Sequence, residues 1–237
     1  MKGVLTSGKG RGKTFVEKEE YSSQMREKLG LHPYPGTLNC RVDGHIVEDL
    51  RNMGGILLEG FVKDGKTYGN VACFPVTFHN DRCFVVIPEK SVHRRAVEIV
   101  AEGNLREKYE LEDGMEMEIM FEPFLKKCRR ITTYAVPSLA GNNSDIVIFY
   151  DAPVEAGRRD MCYTEREHAA GISSRWYRKT IPVREVVSIV FENTEKHAYK
   201  RLFKFIEKNH YRVMSPVRKI GYTALNEWQI EVKTTEH

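Results

Sequence analysis

The sequence predicts a mainly β N-terminal domain, built as a small barrel, followed by a smaller α+β domain. Between residues 36 and 88, short segments rich in β-forming residues follow one another and are connected by hairpin turns. The charge balance separates the two parts. Residues 1–125 carry 17 Lys/Arg against 20 Asp/Glu, whereas residues 126–237 carry 20 against 13. We therefore expect one domain at 1–124 and a second at 125–237.

The composition of the 237-residue chain is that of a globular protein, with 41% hydrophobic residues. Its apolar runs are all shorter than the roughly 20 residues that span a bilayer, and the N-terminus lacks the apolar stretch of a signal peptide. The five cysteines form no C-x-x-C pair, which argues against disulfides and a zinc ribbon. We therefore expect a cytoplasmic protein that does not associate with membranes.

Nucleic acid is not an expected partner. The basic residues of the second half are scattered among apolar ones, which favours a solvated surface over a nucleic-acid interface. The sequence also shows no helix-turn-helix pattern.

The elements of the first domain follow from residue spacing. "MKGVLTS" predicts a strand, and the helical spacing of Tyr21, Met25 and Leu29 predicts a helix over 17–29 that ends at Gly30. "KDGK" and "HNDR" predict hairpin turns, "AVEIVA" and "MEMEIMFE" predict strands, and "LREKYELEDG" predicts a short helix. The pattern indicates one helix inserted into a mostly antiparallel β-structure.

The stretch "TSGKGRGKTF", residues 6–15, comes within one residue of the P-loop pattern G-x-x-x-x-G-K-[ST], which Ser7 breaks. A P-loop fold needs a parallel sheet with crossover helices, and residues 40–90 show no such helices. A different phosphate-binding loop is therefore favoured, in which glycines let backbone N–H groups converge on an anion and alternating Lys/Arg supply the counter-charge. The alternative is a glycine-rich turn that carries solubilising charge.

The second candidate feature is "PYPGTLN", where Thr37 and Asn39 present a hydroxyl and an amide on one face of an extended segment. Two neutral oxygen ligands are too weak to hold Mg²⁺ alone, but they suffice when nucleotide phosphates supply the negative charge. The alternative is a structural turn in which both side chains hydrogen-bond to the backbone. The histidines indicate no metal site, because His93 and His168 lack suitably spaced partners.

These features occur in a characteristic order: the glycine loop, a helix, "LGLHPYPGTLN", and then "VVIPEKSVH" and "VEIVAEGNLREKYELEDGMEMEI". Over residues 1–122 the chain resembles the archaeal CTP-dependent riboflavin kinases. The resemblance implies a cradle-loop β-barrel that transfers the γ-phosphate of CTP to the 5′-hydroxyl of riboflavin. The products would be FMN and CDP, and the cofactor would be Mg²⁺.

The resemblance also implies three groups of site residues, when the family's positions are matched to this sequence. The nucleotide-binding positions are Lys9, Gly10, Arg11, Gly12, Lys13, Thr14, Asn104, Leu105, Arg106 and Glu107. The metal ligands would be Thr37 and Asn39, and the flavin would contact Ser91 and Glu98. Glu98 is also the available carboxylate for a general base. The plain alternatives are an exposed strand residue for Glu98 and an amphipathic turn for "LREKYEL".

The second domain is expected to combine strands with one helix. "TIPVREVVSIVFEN" predicts a strand, residues 195–209 predict an amphipathic helix, and "VRKIGYTALNEWQIEV" predicts a strand or a strand pair. This order is similar to the GyrI-like effector-binding domains, which bind small, often cationic or aromatic ligands. The similarity implies a cleft with a carboxylate such as Glu231 inside, lined by Tyr150, Phe191, Tyr222 and Trp228.

Two alternatives stay open. The aromatic residues of the second domain either line such a cleft or form its core. The whole chain is either an enzyme with an appended ligand-binding module or a flavin-responsive regulator that has lost catalysis.

Overall fold

The computed structural model describes residues 1–8, 11–91, 94–128, 131–138, 146–149, 159–163, 177–181, 183–192, 195–215 and 217–234. The chain divides into two compact units, Met1–Glu122 and Pro123–His237. Both are rich in β-strands, and all strand pairs between described residues are antiparallel. A P-loop fold, which needs a parallel sheet, does not match this architecture.

Ten strands are formed by the part of the first unit that the structure describes. They are β1 (Lys2–Thr6), β2 (Leu38–Arg41), β3 (Ile56–Leu58), β4 (Phe61–Lys63), β5 (Lys66–Tyr68), β6 (Val71–Phe78), β7 (Asp81–Pro88), β8 (Ala96–Ala101), β9 (Glu116–Glu118) and β10 (Met120–Phe121). Eight of them form one sheet in the order β10-β6-β7-β8-β2-β1-β9, with β3 paired to β6, while β4 and β5 form a separate hairpin. The expected mostly antiparallel β-structure is confirmed.

The two end strands of this sheet come from one short segment. β9 pairs with β1 and β10 pairs with β6, yet only Ile119 separates β9 from β10. Ile119 is itself held by the N-terminus: its N–H donates to the Met1 carbonyl at 2.8 Å, and the Met1 ammonium donates to its carbonyl at 2.7 Å. The same segment therefore borders both ends of the strand order.

The two predicted hairpin turns are confirmed. Lys63 pairs with Lys66 across Asp64 and Gly65, whose φ angles are 50° and 70°. Phe78 pairs with Asp81 across a two-residue turn in which His79 has φ 50°. Positive φ angles are typical of the tight turns whose twist matches that of the flanking strands.

The helices of the first unit are α1 (Arg11–Val16), α2 (Glu19–Gln24), α3 (Gly44–Met53) and α4 (Leu105–Lys108). α2 continues as a π-helical turn, Met25–Leu29, that ends at Gly30 with φ 58°, so the predicted helix and its terminal glycine are confirmed. The expectation of one inserted helix is wrong, because neither α1 nor α3 was predicted. Asp43 is the N-cap of α3, since its carboxylate accepts from the His45 N–H at 2.8 Å, and the helix buries Ile46, Val47, Leu50 and Met53.

The core of the first unit lies between these helices and the sheet. It contains Val16, Tyr21, Met25, Leu29 and Leu31 from the helical side and Leu58, Val71, Cys73, Phe84, Val86 and Val100 from the strands. Cys40 and Cys83 are fully buried as free thiols, and burial raises the pKa of both thiols to about 11. They are packing residues and poor nucleophiles.

The described residues of the second unit form nine strands and one helix. The strands are β11 (Phe124–Lys127), β12 (Ile131–Ser138), β13 (Ile146–Phe149), β14 (Arg159–Tyr163), β15 (Tyr177–Ile181), β16 (Glu185–Phe191), β17 (Arg212–Val213), β18 (Val217–Gly221) and β19 (Asn226–Lys233). The sheet order is β11-β16-β19-β18-β13-β14-β12-β15, and β17 pairs with β19. The helix, α5 (Glu195–Lys208), confirms the element predicted over 195–209.

Two of the four aromatic residues predicted to line a cleft, Phe191 and Trp228, belong to the core of the second unit, whereas Tyr222 is partly exposed and its hydroxyl donates to Glu227. Trp228 is fully buried and Phe191 nearly so, and both pack in one cluster with Leu202 and Ile206 of α5. Glu231 follows strand alternation and lies on the opposite sheet face from Trp228, where it pairs with Arg218. Trp228 and Glu231 therefore cannot share one cleft. Tyr150 lies outside the described residues.

Among the described helices, none is long and apolar enough to cross a bilayer.

Candidate active site

The glycine-rich loop leads from β1 into α1 and passes close to the "GTLN" segment. A Cβ atom on Gly12 would lie 2.0 Å from Thr37 Oγ1, and one on Gly8 would lie 2.5 Å from Asn39 Nδ2. Both distances are far below van der Waals contact, so these positions accept only glycine unless the neighbouring side chains shift. Lys9 and Gly10 lie outside the described residues. Helix α1 includes Arg11, Lys13 and Thr14.

The "GTLN" segment enters the sheet as β2. Asn39 is paired with Thr6 of β1 on one side and with Glu98 of β8 on the other. Residues directly opposite in antiparallel strands share a sheet face, and their Cβ atoms lie about 4.5–5.5 Å apart. Thr6, Asn39 and Glu98 therefore form a row of polar side chains across three strands. The Asn39 amide also donates to the Thr37 carbonyl at 3.4 Å, a long and weak bond.

A cavity of about 410 Å³ opens at this row. Its lining brings residues from all three predicted groups together with apolar residues. They are Ser7, Gly8 and Gly12 of the glycine loop, Thr37 and Asn39, Ser91 and Glu98, Arg106, and the apolar residues Val47, Val86, Ile87, Pro88 and Ala96. Thr37, Asn39, Ser91 and Glu98 are all partly exposed. The structure thus brings together residues that are up to about 100 positions apart in the chain.

A second cavity, of about 160 Å³, is lined by the start of "NLRE". Gly36, Thr37 and Arg106 line both cavities, and Tyr34 and Asn104 line only the smaller one. Asn104 also has a local role as the N-cap of α4, because its side-chain oxygen accepts from the Glu107 N–H at 3.3 Å.

The other two residues of "NLRE" are placed differently. Leu105 borders the smaller cavity, but its side chain is buried in the protein. Glu107 is exposed and lines neither cavity, and its carboxylate accepts from Asn104 Nδ2 at 3.3 Å.

Arg51 and Asp113 are among the residues that sequence reasoning missed. Arg51 lies on the unpredicted helix α3, lines the larger cavity, and donates from Nη2 to the Ser91 carbonyl at 3.0 Å. Asp113 belongs to the "LREKYELEDG" segment, for which only a short helix was predicted. Its carboxylate accepts from the Ser7 N–H at 2.9 Å and from Arg106 Nη2 at 2.8 Å. The hydrogen bonds from Ser7, followed by that from Arg106, lower the pKa of Asp113.

The described residues contain no group of three or more His, Cys, Asp and Glu side chains that could hold a metal ion. A metal at Thr37 and Asn39 would therefore have two neutral protein ligands, and the remaining coordination would come from a bound anion and water. Thr37 and Asn39 both line the cavity of about 410 Å³, so this donor set fits a cation that arrives with phosphate.

The first unit is similar in sequence to known proteins. The family model named CTP-dep_RFKase, described as a domain of unknown function, DUF120, matches residues 5–121. A protein named "Riboflavin kinase" from Thermoplasma acidophilum is 42% identical over 115 residues, which cover 47% of this chain and 52% of that protein. Another "Riboflavin kinase", from Ignicoccus hospitalis, is 37% identical over 124 residues, which cover 51% of this chain and 69% of that protein. The chain belongs to the CTP-dependent riboflavin kinase family. It spans about half the length of the first relatives that it matches.

Among solved structures, the one named "Crystal structure of EcmrR C-terminal domain" aligns with a TM-score of 0.37 and 11% identity, covering 48% of this chain and 98% of that chain. A similarity at this level carries no argument about the fold or a ligand.

Proposed function

We propose that the first unit transfers the γ-phosphate of CTP to the 5′-hydroxyl of riboflavin, forming FMN and CDP, with Mg²⁺ bound at the phosphates. The observation that carries this proposal is the lining of the cavity of about 410 Å³, where the glycine loop, Thr37 with Asn39, and Ser91 with Glu98 meet. Family membership supports the phosphorylation of riboflavin, and the family's name supports CTP as the donor.

The strand order supports a cradle-loop barrel as the scaffold. Because β9 and β10 border opposite ends of the order and only Ile119 separates them, the sheet would close on itself through residues 116–121. A closed sheet has no free edge, and its interior-facing residues alternate with exterior ones. Closure would hold β1, β2 and β8, which carry Thr6, Asn39 and Glu98, in one fixed arrangement.

The flavin end of the cavity would be formed by Ser91, Glu98 and the apolar wall. Val86, Ile87 and Pro88 at the end of β7 offer a surface for the ring system, and Val47 of α3 contributes from another side. Small-molecule sites commonly combine such walls with a few polar groups that fix orientation. Ser91 and Glu98 would supply those groups for riboflavin.

The phosphate end would be formed by the glycine loop, Thr37 and Asn39. Gly8 and Gly12 let the loop approach both polar side chains closely, and the Lys and Arg residues of positions 9–13 would add positive charge. When Mg²⁺ is bound at Thr37 and Asn39, it would neutralise negative charge on the transferring phosphoryl group.

The reaction would be an in-line displacement in which positioning dominates. The riboflavin 5′-oxygen forms a bond to the γ-phosphorus as the bond from that phosphorus to the bridging oxygen of CDP breaks. The hydroxyl proton would pass to Glu98, the carboxylate that lines the cavity beside Asn39. Arg106, which lines both cavities, would contact the nucleotide between its phosphates and its base.

The test is to incubate the full chain with riboflavin and Mg²⁺ and, in separate reactions, CTP, ATP, GTP or UTP, and to separate the flavins by chromatography. The proposal predicts FMN and CDP in equal amounts, formed fastest with CTP and abolished by a chelator. If no triphosphate yields FMN with any divalent metal, the kinase assignment is wrong and a flavin-responsive regulator becomes the better interpretation. FMN formed fastest from another triphosphate would contradict the donor assignment alone.

A further inference from the structure

Asp113 lies where two parts of the proposed nucleotide site meet. One oxygen of its carboxylate accepts from the Ser7 N–H at 2.9 Å, at the start of the glycine loop. The other accepts from Arg106 Nη2 at 2.8 Å, on α4. Ser7 and Arg106 both line the larger cavity, whereas Asp113 itself lines neither cavity. The Asp113 carboxylate therefore bonds to two cavity-lining residues without lining either cavity itself.

The surrounding backbone fixes the position of this carboxylate. The Gly114 N–H donates to the Leu5 carbonyl at 2.9 Å, and the Leu5 N–H donates to the Met115 carbonyl at 2.8 Å, so the turn is tied to β1. The Arg106 guanidinium is held at a second point by the Leu111 carbonyl, which accepts from Nη1 at 3.3 Å. Its remaining N–H groups are available to phosphate oxygens, which a planar guanidinium binds well.

We propose that Asp113 is a positioning residue for the nucleotide: its carboxylate holds the start of the glycine loop and the Arg106 guanidinium in the arrangement that receives the phosphates. This inference rests on the proposed function. It would make the "DG" turn a part of the enzyme's binding machinery that acts through Ser7 and Arg106.

The chemistry explains why a carboxylate is needed at this position. Both partners are donors, and an ionised carboxylate can accept from both because it carries acceptors only. An asparagine has nearly the same shape but would present its NH₂ group to one of the two donors. Asp113→Asn therefore removes one bond and the negative charge without creating a cavity.

Asp81 provides a matched control. It is an aspartate of the same unit, it pairs with Lys108 of the same helix α4, and it lines neither cavity. The Lys108 and Tyr109 side chains both donate to its carboxylate. Asp81→Asn thus breaks a comparable surface pair away from the proposed site.

The experiment compares the full chain with the Asp113→Asn and Asp81→Asn variants. Steady-state FMN formation gives kcat and the KM values for CTP and riboflavin, calorimetry with CDP gives a dissociation constant, and thermal unfolding gives Tm. We expect Asp113→Asn to raise the KM for CTP and the Kd for CDP about ten-fold, the cost of one charged hydrogen bond. The KM for riboflavin should stay unchanged in both variants, and Asp81→Asn should keep the wild-type KM for CTP and Kd for CDP. Tm should fall only slightly, and by a similar amount in both variants, since each loses one exposed ion pair.

A second arm tests whether Asp113 acts through Arg106. If it does, adding Asp113→Asn to Arg106→Gln should weaken CDP binding by much less than the same change in the wild-type chain. Equal effects in both backgrounds, unchanged CDP binding in Asp113→Asn, or a lowered Tm with both KM values raised would each overturn the positioning role. A wild-type chain that binds no CDP and makes no FMN would instead overturn the proposed function together with this inference.

Discussion

In the first unit, a row of polar side chains borders a cavity, whereas in the described part of the second unit one cluster of polar side chains is buried and its members bind one another. Thr37, Asn39 and Glu98 are partly exposed around the larger cavity. In the second unit, Ser188 and Glu227 are fully buried, and Lys126 forms an ion pair with Glu227 although the two side chains are only 2% and 0% exposed.

The difference teaches which polar groups are available to a ligand. The Glu227 carboxylate already accepts from Lys126, Ser188 and Tyr222, so its hydrogen-bonding capacity is used inside the protein. Such a group stabilises one strand arrangement only while its partners remain. The polar row of the first unit borders a cavity and can change partners when substrates bind. We therefore attribute the proposed chemistry to the first unit and a structural role to the buried polar cluster of the second.

The largest expected effect comes from breaking the buried pair. Lys126→Met leaves the Glu227 charge buried without its cation, which should destabilise the second unit by about 3–5 kcal/mol. Chemical unfolding followed by Trp228 fluorescence measures this, since Trp228 is in the core of that unit. The neighbouring Lys127 is exposed, so Lys127→Met should change stability by less than about 0.5 kcal/mol. Equal effects of the two variants would mean that the pair contributes nothing.

The next effect concerns the proposed metal ligands. Thr37→Ala and Asn39→Ala should each lower kcat by about 10- to 100-fold and raise the Mg²⁺ concentration needed for half-maximal rate, with little change in Tm. Thr67→Ala, at an exposed position of β5, is the control and should behave as the wild type. A lowered Tm with the same loss of activity at all Mg²⁺ concentrations would indicate a structural turn instead.

A smaller loss is expected when the glycine loop is displaced. In Gly12→Ala the new methyl group would lie 2.0 Å from Thr37 Oγ1, so the loop or Thr37 must move and the rate of FMN formation should fall at least about ten-fold. At Gly69 the nearest atom, 3.0 Å away, belongs to the flexible Lys90 side chain, so Gly69→Ala should retain activity. Full activity in Gly12→Ala would contradict the close packing of the loop on Thr37.

The smallest expected effect is a shift in the pKa of Asp113. Hydrogen bonds from Ser7 and Arg106 lower the pKa of Asp113 below its ordinary value of 3.8. The stabilising contribution of this carboxylate is therefore present above the pKa of the unfolded chain and is lost as the pH falls through the lower folded pKa. Carboxyl NMR should show Asp113 titrating at lower pH in the wild type than in Arg106→Gln. Identical titration curves would exclude the influence of Arg106.

Much of the fold was predictable, because local spacing governs it. Tyr21, Met25 and Leu29 predicted the first helix through their period, and Asp64-Gly65 predicted a hairpin through its turn chemistry. α3 was missed because its ten residues include Gly44, His45 and Asn52, and the surrounding β-rich segments dominated the interpretation. The continuation of α2 as a π-helical turn has no signal in residue spacing.

The site was predictable only in part. The "PYPGTLN" pattern singled out Thr37 and Asn39, and family resemblance added Ser91 and Glu98; the fold brings all four to one cavity. Spacing could not show that Gly12 packs against Thr37 or that Asp113 joins Ser7 to Arg106, because these contacts link distant segments. Likewise, the aromatic pattern of the second unit could not distinguish a cleft from a core. Strand register decides that question, since it places Trp228 and Glu231 on opposite faces.

The most direct test of the central claim is FMN formation by the first unit alone. A fragment that ends at Glu122, before β11 joins the second sheet, should fold independently and form FMN from riboflavin and CTP with a kcat within about two-fold of the full chain. The full chain carrying Lys126→Met, in which only the second unit is destabilised, should also form FMN with a kcat within about two-fold of the wild type. A soluble, folded fragment that makes no FMN while the full chain does would show that the second unit contributes to the active site, and would contradict the assignment of the chemistry to residues 1–122.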